Sequence, residues 1–287
     1  MTLLEKLSSD SPHFSLEFFP PKKDMPLNTV YDTISHLSSY SPAFASVTYG
    51  AGGSSRDRTL EIASHVRNTI GLEAIAHLTC AGANPSSVND MLDKLRASGV
   101  NNVLALRGDV PEGMSREETF RHYLHASDLI ADIKAGGGFT IAAAAYPELH
   151  VESGSSEEDI AYMRIKADAG ADFFITQLCF DRNAIIDFYE QVYKAGIHAP
   201  IVTGVMPVLN PKQIIRMSLL SACSIPAALS RIICRYGEDI PSFTEAGIEF
   251  AIEEIGYLKR HGVKGFHLYT MNKAEAVARI LTGSGLA

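Results

Sequence analysis

Short apolar runs alternate with longer segments of helical periodicity from one end of the chain to the other. The short runs are rich in Val, Ile, Phe and Ala and lack strict alternation with polar residues. That composition is typical of strands buried on both faces of a parallel sheet. The pattern predicts strands over residues 14–19, 44–49, 74–79, 102–107, 140–146, 173–177, 201–206 and 265–269.

Residues that start and stop helices lie between these strands. Asn84-Pro85 and Asn210-Pro211 each place a capping side chain directly before a first-turn proline. Helices are expected to end at three glycines, Gly99, Gly170 and Gly196. Residues 224–258 are too many for one helix and are expected to hold two. The sequence therefore predicts an α/β fold, a (β/α)8 TIM barrel, in which residues 1–287 form a single domain with an extra helix before the last strand.

Other folds and sites fit the sequence less well. A doubly wound dinucleotide-binding sheet needs a glycine fingerprint, and the glycine-rich stretch at residues 50–55 lacks its final glycine. The four cysteines show no CxxC pairing and are expected to be reduced thiols. His122 and His125 have helical spacing but no carboxylate partner, so no metal site is predicted.

Charge and hydropathy narrow the possible partners and location. A net charge of −8 and a pI of about 5.7 argue against nucleic acid, which requires a basic face. No apolar run approaches the roughly 20 residues that span a bilayer. The first residues lack the layout of a signal peptide, so a cytoplasmic protein is expected.

Polar and titratable residues end most of the predicted strands. The carboxyl ends of barrel strands open on one face, so this clustering predicts a site there. Glu17 follows an apolar run and precedes two prolines; burial should raise its pKa toward neutrality and suit it to general acid catalysis. The alternatives are a hydrogen-bonded core carboxylate at Glu17, an ion pair between Asp109 and Arg107, and a core histidine at His77.

Two common barrel chemistries do not match these strand ends. A Schiff-base aldolase requires a lysine projecting inward from a strand, and the predicted strands have none in their interiors. Phosphate-sugar barrels usually place glycine-rich turns after the seventh and eighth strands, whereas here the glycines follow the second.

Eight segments, in order along nearly the whole chain, resemble the methylenetetrahydrofolate reductase family. They are SLEFFPPK (15–22), SVTYGAGGSSRDRT (46–59), AHLTCAG (76–82), VLALRGDVP (103–111), AAYPELH (144–150), KADAGADFFITQLCFD (166–181), GVMPVLNPKQ (204–213) and GFHLYTMNKAE (265–275). The resemblance covers the catalytic barrel without the regulatory domain of eukaryotic members. It implies reduction of 5,10-methylenetetrahydrofolate to 5-methyltetrahydrofolate through bound FAD, supplying methyl groups for methionine synthesis, with NADH or NADPH as donor in a ping-pong scheme.

The resemblance also implies roles for residues. Glu17 matches the general acid that opens the folate ring to an iminium, and Asp109 matches the aspartate between flavin and pterin. Positions implied to hold FAD are Thr48, His77, Arg107, Gly108, Asp109, His125, Ala126, Tyr146, His150, Asp159, Tyr162 and Lys166. Positions implied to contact the folate are Glu17, Asp109, Gln177, Gln213, Met217, Tyr269 and Lys273. A homo-oligomer is usual in the family and is expected here.

This chain departs from the better-known bacterial members at several positions. Lys273 replaces an arginine that holds the folate tail, and Met217 replaces an aromatic residue that packs on nicotinamide and folate. Tyr162 and His125 also differ from the residues those members place around the flavin, and the loop between Asp109 and Ala126 is longer. These departures leave a second hypothesis open, a flavin- or folate-binding subunit that receives electrons from a partner protein. A folate-dependent barrel methyltransferase is a third, which leaves Glu17 and the FAD positions without a purpose.

Overall fold

The computed structural model describes residues 2–21, 25–49 and 56–287. Its parallel strands close into a barrel and follow one another around the circumference in chain order. They are β1 (His13–Phe18), β2 (Ala45–Val47), β3 (Ala74–Thr79), β4 (Asn102–Leu106), β5 (Thr140–Ala145), β6 (Phe173–Thr176), β7 (Ile201–Val205) and β8 (Gly265–Tyr269). The predicted (β/α)8 fold is confirmed. Most observed strands end one or two residues before the predicted limit.

Helices occupy the segments between the strands. They are α1 (Leu3–Leu7), α2 (Asn28–Ser38), α3 (Arg56–His65, continued by a π-helical turn at Val66–Ile70), α4 (Pro85–Ala97), α5 (Arg116–Thr119), α6 (Ala126–Gly136), α7 (Ser156–Ala169), α8 (Arg182–Lys194), α9 (Pro211–Ser221), α10 (Ala227–Tyr236), α11 (Ile240–Arg260) and α12 (Ala274–Ser284). The predicted division of residues 224–258 into two helices is confirmed by α10 and α11. No helix in the described ranges is long and apolar enough to cross a membrane.

The predicted helix signals act as expected. The Asn84 side chain accepts a hydrogen bond from the Ser87 N–H, and the Asn210 side chain accepts one from the Gln213 N–H. Gly99, Gly170 and Gly196 follow their helices with left-handed φ values of +70°, +118° and +70°. Such values are costly for residues with a Cβ.

The two ends of the barrel have different contents. At the amino-terminal end, Leu3 and Leu7 of α1 are buried in one cluster with Phe44, Ile75 and Phe173. A larger apolar core lies between the strands and the surrounding helices. At the opposite end, the interior of the barrel carries polar side chains. The candidate site is therefore at this end.

Candidate active site

A buried polar cluster lies inside the barrel at β1, β2, β3 and β8. Alternate residues of a strand face the same side, so Ser15 and Glu17 point together into the interior. In the β1–β8 register, Ser15 pairs with His267 and Glu17 pairs with Tyr269. Glu17 is only 6% exposed. A carboxyl group buried to this extent is costly unless other groups bind it.

One carboxylate oxygen of Glu17 receives most of these contacts. Its Oε2 lies 3.3 Å from His267 Nε2 and 3.4 Å from His77 Nε2, the latter without hydrogen-bond alignment. The Ser46 hydroxyl donates to the same oxygen at 3.5 Å. His267 is held from its other side, where Nδ1 lies 2.7 Å from Ser15 Oγ. The cluster therefore joins a carboxyl group, two imidazoles and two hydroxyls out of contact with bulk water.

The pKa of Glu17 differs from the sequence expectation. Burial raises the pKa of this carboxyl, as predicted, but the hydrogen bond with His267 and the nearby imidazole of His77 lower it, and the net direction is below its ordinary value. Burial lowers the pKa of His77 to about 4, so His77 is neutral at pH 7. The prediction of a raised pKa at Glu17 is thus wrong, because an imidazole hydrogen bond opposes the effect of burial.

Tyr269 forms part of the wall next to this cluster. Its hydroxyl donates to the Thr176 carbonyl at 2.7 Å, and burial raises the pKa of the phenol well above its usual value. A Cβ at Gly204 would lie 2.6 Å from the Thr176 carbonyl oxygen and 2.7 Å from the Tyr269 hydroxyl. Glycine at position 204 therefore makes room for the Tyr269 ring.

A pocket of about 330 Å³ lies at β4 and β5, and β4 is the neighbour of β3, which carries His77 of the cluster. It is bounded by the ends of β4 and β5 and by α6 and α7. Most of the residues predicted to hold the cofactor line it: Arg107, His125, Ala126, Tyr146, His150, Asp159, Tyr162 and Lys166. Sequence-predicted positions separated by up to one fifth of the chain thus meet in one pocket.

The pocket has fixed polar groups. Lys166 Nζ donates to the Ala144 carbonyl at 2.9 Å, and burial lowers the pKa of this amine to about 8. Asp159 accepts the His150 N–H at 2.8 Å and the Ser153 hydroxyl at 2.5 Å, which orders the turn after β5. Burial raises the pKa of Tyr146 to about 12, so its hydroxyl is a neutral donor.

Arg107 and Asp109 do not pair with each other. Both Arg107 terminal nitrogens bind Glu152, at 2.6 and 2.8 Å, while Asp109 is exposed at the mouth. Gly108 between them has a φ of +78°, and a Cβ there would lie 3.0 Å from Thr79 Cβ. The alternative of an Asp109–Arg107 ion pair is therefore contradicted.

The remaining predicted residues lie around the mouth but outside this pocket. Gln177 is half-buried after β6, and its Oε1 accepts the neighbouring Leu178 N–H at 2.7 Å. Gln213 lies in the first turn of α9, and Met217, one turn later, packs on a separate apolar cluster. Thr48 is half-buried after β2, and its N–H donates to the Phe18 carbonyl at 3.0 Å. The glycines of residues 50–53 lie outside the described residues.

Lys273 does not line this pocket. It is exposed at the start of α12 and lines a second pocket, of about 620 Å³, together with Asn272 and Arg279. In the described part of the chain, no group of three or more His, Cys, Asp or Glu residues has an arrangement that could hold a metal ion.

Sequence reasoning missed three contributors to these sites. His267 was seen only as part of a polar strand end, although its alternation with Tyr269 matches that of Ser15 with Glu17 on the paired strand. Arg116 and Glu152 had no signal, because their contacts join loops 36 residues apart in sequence.

These features define a (β/α)8 barrel protein with a polar site at the carboxyl ends of its strands, where barrel enzymes carry out their chemistry. Residues 2–285 match the sequence model of a family described as methylenetetrahydrofolate reductase. The chain belongs to this family, and the resemblance in the sequence is confirmed.

Named relatives are of two lengths. Over 261 residues the chain is 38% identical to the 5,10-methylenetetrahydrofolate reductase of Escherichia coli (strain K12), covering 91% of this chain and 86% of that protein. Over 285 residues it is 37% identical to methylenetetrahydrofolate reductase (NADH) 1 of Arabidopsis thaliana, covering 95% of this chain and 48% of the plant protein. The chain therefore spans about half the length of the plant relative.

Among solved structures, the fold is shared with an uncharacterised protein from Clostridium thermocellum that binds two copies of 5-methyl-5,6,7,8-tetrahydrofolic acid. The TM-score is 0.67, the sequence identity is 15%, and both chains are covered completely. At this identity the likeness concerns the fold.

Proposed function

We propose that this protein reduces 5,10-methylenetetrahydrofolate to 5-methyltetrahydrofolate, with FAD bound in the pocket beside the barrel mouth and NADH or NADPH as electron donor. The observation that carries the proposal is that a buried carboxyl group, Glu17, and a pocket lined by Arg107 and Lys166 lie toward the same end of the barrel. Membership of the reductase family supports it, as do the names of the bacterial and plant relatives. Residues 1–287 would act as one catalytic domain that supplies methyl groups for methionine synthesis, in a cytoplasmic homo-oligomer.

The pocket residues fit an anionic cofactor with flat rings. Its volume of about 330 Å³ is within the usual range for ligand sites. The amine of Lys166 is buried and its pKa is lowered to about 8, so a nearby phosphate would further stabilise its charged form. Arg107, Lys166 and His150 would hold the phosphate groups, and Tyr146 would pack on a ring. Bound FAD would supply hydride transfer between nicotinamide and folate.

Glu17 and His267 are suited to holding one proton for delivery. If the Ser15 hydroxyl donates to the Phe266 carbonyl, at 3.3 Å, then His267 Nδ1–H donates to Ser15. His267 Nε2 and Glu17 Oε2 would then share a single proton at 3.3 Å. Glu17 would pass this proton to a folate nitrogen, which opens the five-membered ring to an iminium, and His267 would position the carboxyl group. Asp109, exposed at the mouth, would contact folate and flavin.

A second candidate is a flavin- or folate-binding subunit that takes electrons from a partner protein. Two departures from the family favour it. Met217 offers no ring for a nicotinamide to stack on, and Lys273 lacks the bidentate fork of arginine. Both residues lie on the side of the mouth away from the flavin pocket.

Stopped-flow spectroscopy of the flavin-loaded protein tests the proposal and separates the two candidates. Bleaching of the flavin by NADH or NADPH, followed by reoxidation with methylenetetrahydrofolate, is the expected result. Reoxidation of dithionite-reduced flavin by folate, without bleaching by either nicotinamide, would favour the partner-dependent subunit. A protein that cannot be loaded with FAD would overturn both.

A further inference from the structure

Glu152 is bound by two arginines at once. The carboxylate lies in the turn between β5 and α7. Arg107 donates to it at 2.6 and 2.8 Å, and Arg116 donates at 2.5 and 3.0 Å. Each guanidinium thus uses two nitrogens on the same pair of oxygens. Bidentate contacts of this kind are the geometry with which arginine recognises carboxylates and phosphates alike.

The two guanidinium groups share one support. The buried ring of Phe120 lies 5.3 Å from Arg107 Cζ and 5.9 Å from Arg116 Cζ. Arg116 belongs to α5, whose first turn is fixed by reciprocal hydrogen bonds between Ser115 and Glu118. The long loop between β4 and α6 therefore brings a second guanidinium to a fixed place beside the first.

The charges favour exchange of Glu152 for an anion with more charge. Two guanidiniums around one carboxylate leave an excess positive charge, and the pocket that Arg107 and Glu152 line also holds Lys166 with Asp159 as its acidic neighbour. A diphosphate offers more negative charge and more acceptor oxygens than one carboxylate. The Glu152 side chain is 38% exposed, and its backbone N–H is held separately by His150 Nδ1 at 3.1 Å. The side chain is therefore able to rotate into solvent while the turn keeps its own contact.

We propose that Arg107 and Arg116 form a two-guanidinium binding site for a diphosphate group, and that Glu152 occupies this site as an internal competitor. The inference rests on the proposed function in so far as the diphosphate is that of the dinucleotide cofactor. It adds Arg116 as a binding residue and Glu152 as a residue that sets affinity. A bound cofactor would have to displace Glu152, so its affinity reports the competition.

Calorimetric titration with inorganic diphosphate tests the site without any flavin. Glu152→Gln should tighten binding about tenfold, because the amide competes poorly for the guanidiniums. Arg116→Gln should weaken it about tenfold or more, and Arg116→Lys should give an intermediate affinity because it keeps the charge and loses the fork. Glu117→Gln removes the same charge from the exposed face of α5 and serves as the control, with a change below about twofold expected.

The outcomes that overturn the inference are specific. Weaker diphosphate binding by Glu152→Gln would mean that the carboxylate supports the arginines rather than competes. Equal affinity in wild type and Arg116→Gln, with unchanged circular dichroism, would remove Arg116 from the site. Failure of all these proteins to bind diphosphate would overturn the inference as a whole.

Parallel titrations with FAD and with riboflavin separate this inference from the proposed function. FAD affinity should follow the diphosphate series, while riboflavin, which has no phosphate, should not. Diphosphate binding that follows the series without any FAD binding would uphold the anion site and overturn the proposed cofactor. FAD binding of equal affinity in all variants would uphold the proposed cofactor and overturn the anion site.

Discussion

The Glu17 carboxyl group shows how neighbours decide the state of a buried acid. Burial alone would raise its pKa, yet the hydrogen bond with His267, the nearby imidazoles and the Ser46 hydroxyl together outweigh that effect. A carboxyl–imidazole pair that shares one proton is neutral as a whole, and when it releases that proton one negative charge remains on the carboxylate, where the Ser46 hydroxyl donates to it. The proposed donor is therefore the pair of residues rather than the carboxyl group alone.

Replacing Glu17 by glutamine should separate the two half-reactions. We expect flavin reduction by the nicotinamide to stay within about threefold of wild type, since it needs no proton from Glu17. Folate reduction should fall by about 10²–10⁴-fold, the usual contribution of a general acid. Rapid-reaction spectroscopy measures both rates, and Glu254→Gln, at a buried carboxyl group outside the site, is the control. Equal losses in both half-reactions would contradict the role of proton donor.

Gly204 tests the position of Tyr269. A methyl group at residue 204 would meet the Thr176 carbonyl and the Tyr269 hydroxyl, so Gly204→Ala should lower the free energy of unfolding by about 1–3 kcal/mol. Chemical denaturation measures this change. Gly256→Ala, within α11 and with 3.5 Å to its nearest neighbour, should instead stabilise the protein by about 0.5–1 kcal/mol. A stable Gly204→Ala protein would contradict the close packing.

Elements were predictable where their signals are local. Caps and prolines gave α4 and α9, and apolar runs gave the strands, because these features depend on neighbours in sequence. Most residues of the pocket at β4 and β5 were implied by the family resemblance and not by a local pattern. Contacts that join distant loops, such as Arg116 with Glu152, carry no local signal and required the structure. The same holds for the lowered pKa of Glu17, which depends on a residue at the other end of the chain.

The packing of α11 on α8 buries the carboxyl group of Glu254. The pKa of this group is ordinary in the unfolded chain and shifted in the folded protein. Glu254 is 3% exposed, and its Oε1 has no hydrogen-bond partner in the described residues. Burial raises its pKa to about 8, with Arg182 lowering it and Asp181 raising it. The folded state favours the protonated form of Glu254. The contribution of this group to the free energy of unfolding is therefore greatest below about pH 4.5. It is lost as the pH rises from there to about 8.

Glu254→Gln should remove this dependence. At pH 9 the variant should exceed wild type in free energy of unfolding by roughly 2–5 kcal/mol, and the difference should vanish near pH 5. Denaturation curves at both pH values measure it. The exposed neighbour supplies a matched control, Glu253→Gln, for which the difference should be small at either pH. A constant offset between wild type and Glu254→Gln would mean that the carboxyl group titrates normally.

At the scale of the whole molecule, the apolar residues that stabilise the barrel and the polar residues of the candidate site lie toward opposite ends of its axis. α1 closes one end with apolar side chains, and the polar cluster and the pocket proposed to bind FAD lie toward the other. Conservative changes at the closed end should therefore affect folding and leave ligand affinity alone.

Leu7→Ala tests that separation. Removing a buried leucine side chain should lower the free energy of unfolding by about 2–4 kcal/mol, as measured by urea denaturation. FAD affinity should remain within about twofold of wild type under native conditions. A large loss of affinity in the folded variant would show that the two ends are coupled.

The packing site of α1 also makes this helix a reporter of barrel closure during folding. Leu3 and Leu7 share one buried cluster with residues that are far apart in the chain, including Phe44, Phe173 and Val202. This helix is made before the strands during synthesis, but its contacts are complete only when distant strands have come together. The chain has no tryptophan, so a single indole placed at half-buried Leu4 would be its sole tryptophan fluorophore. The change in its fluorescence emission during refolding would report when α1 packs against the assembled strands.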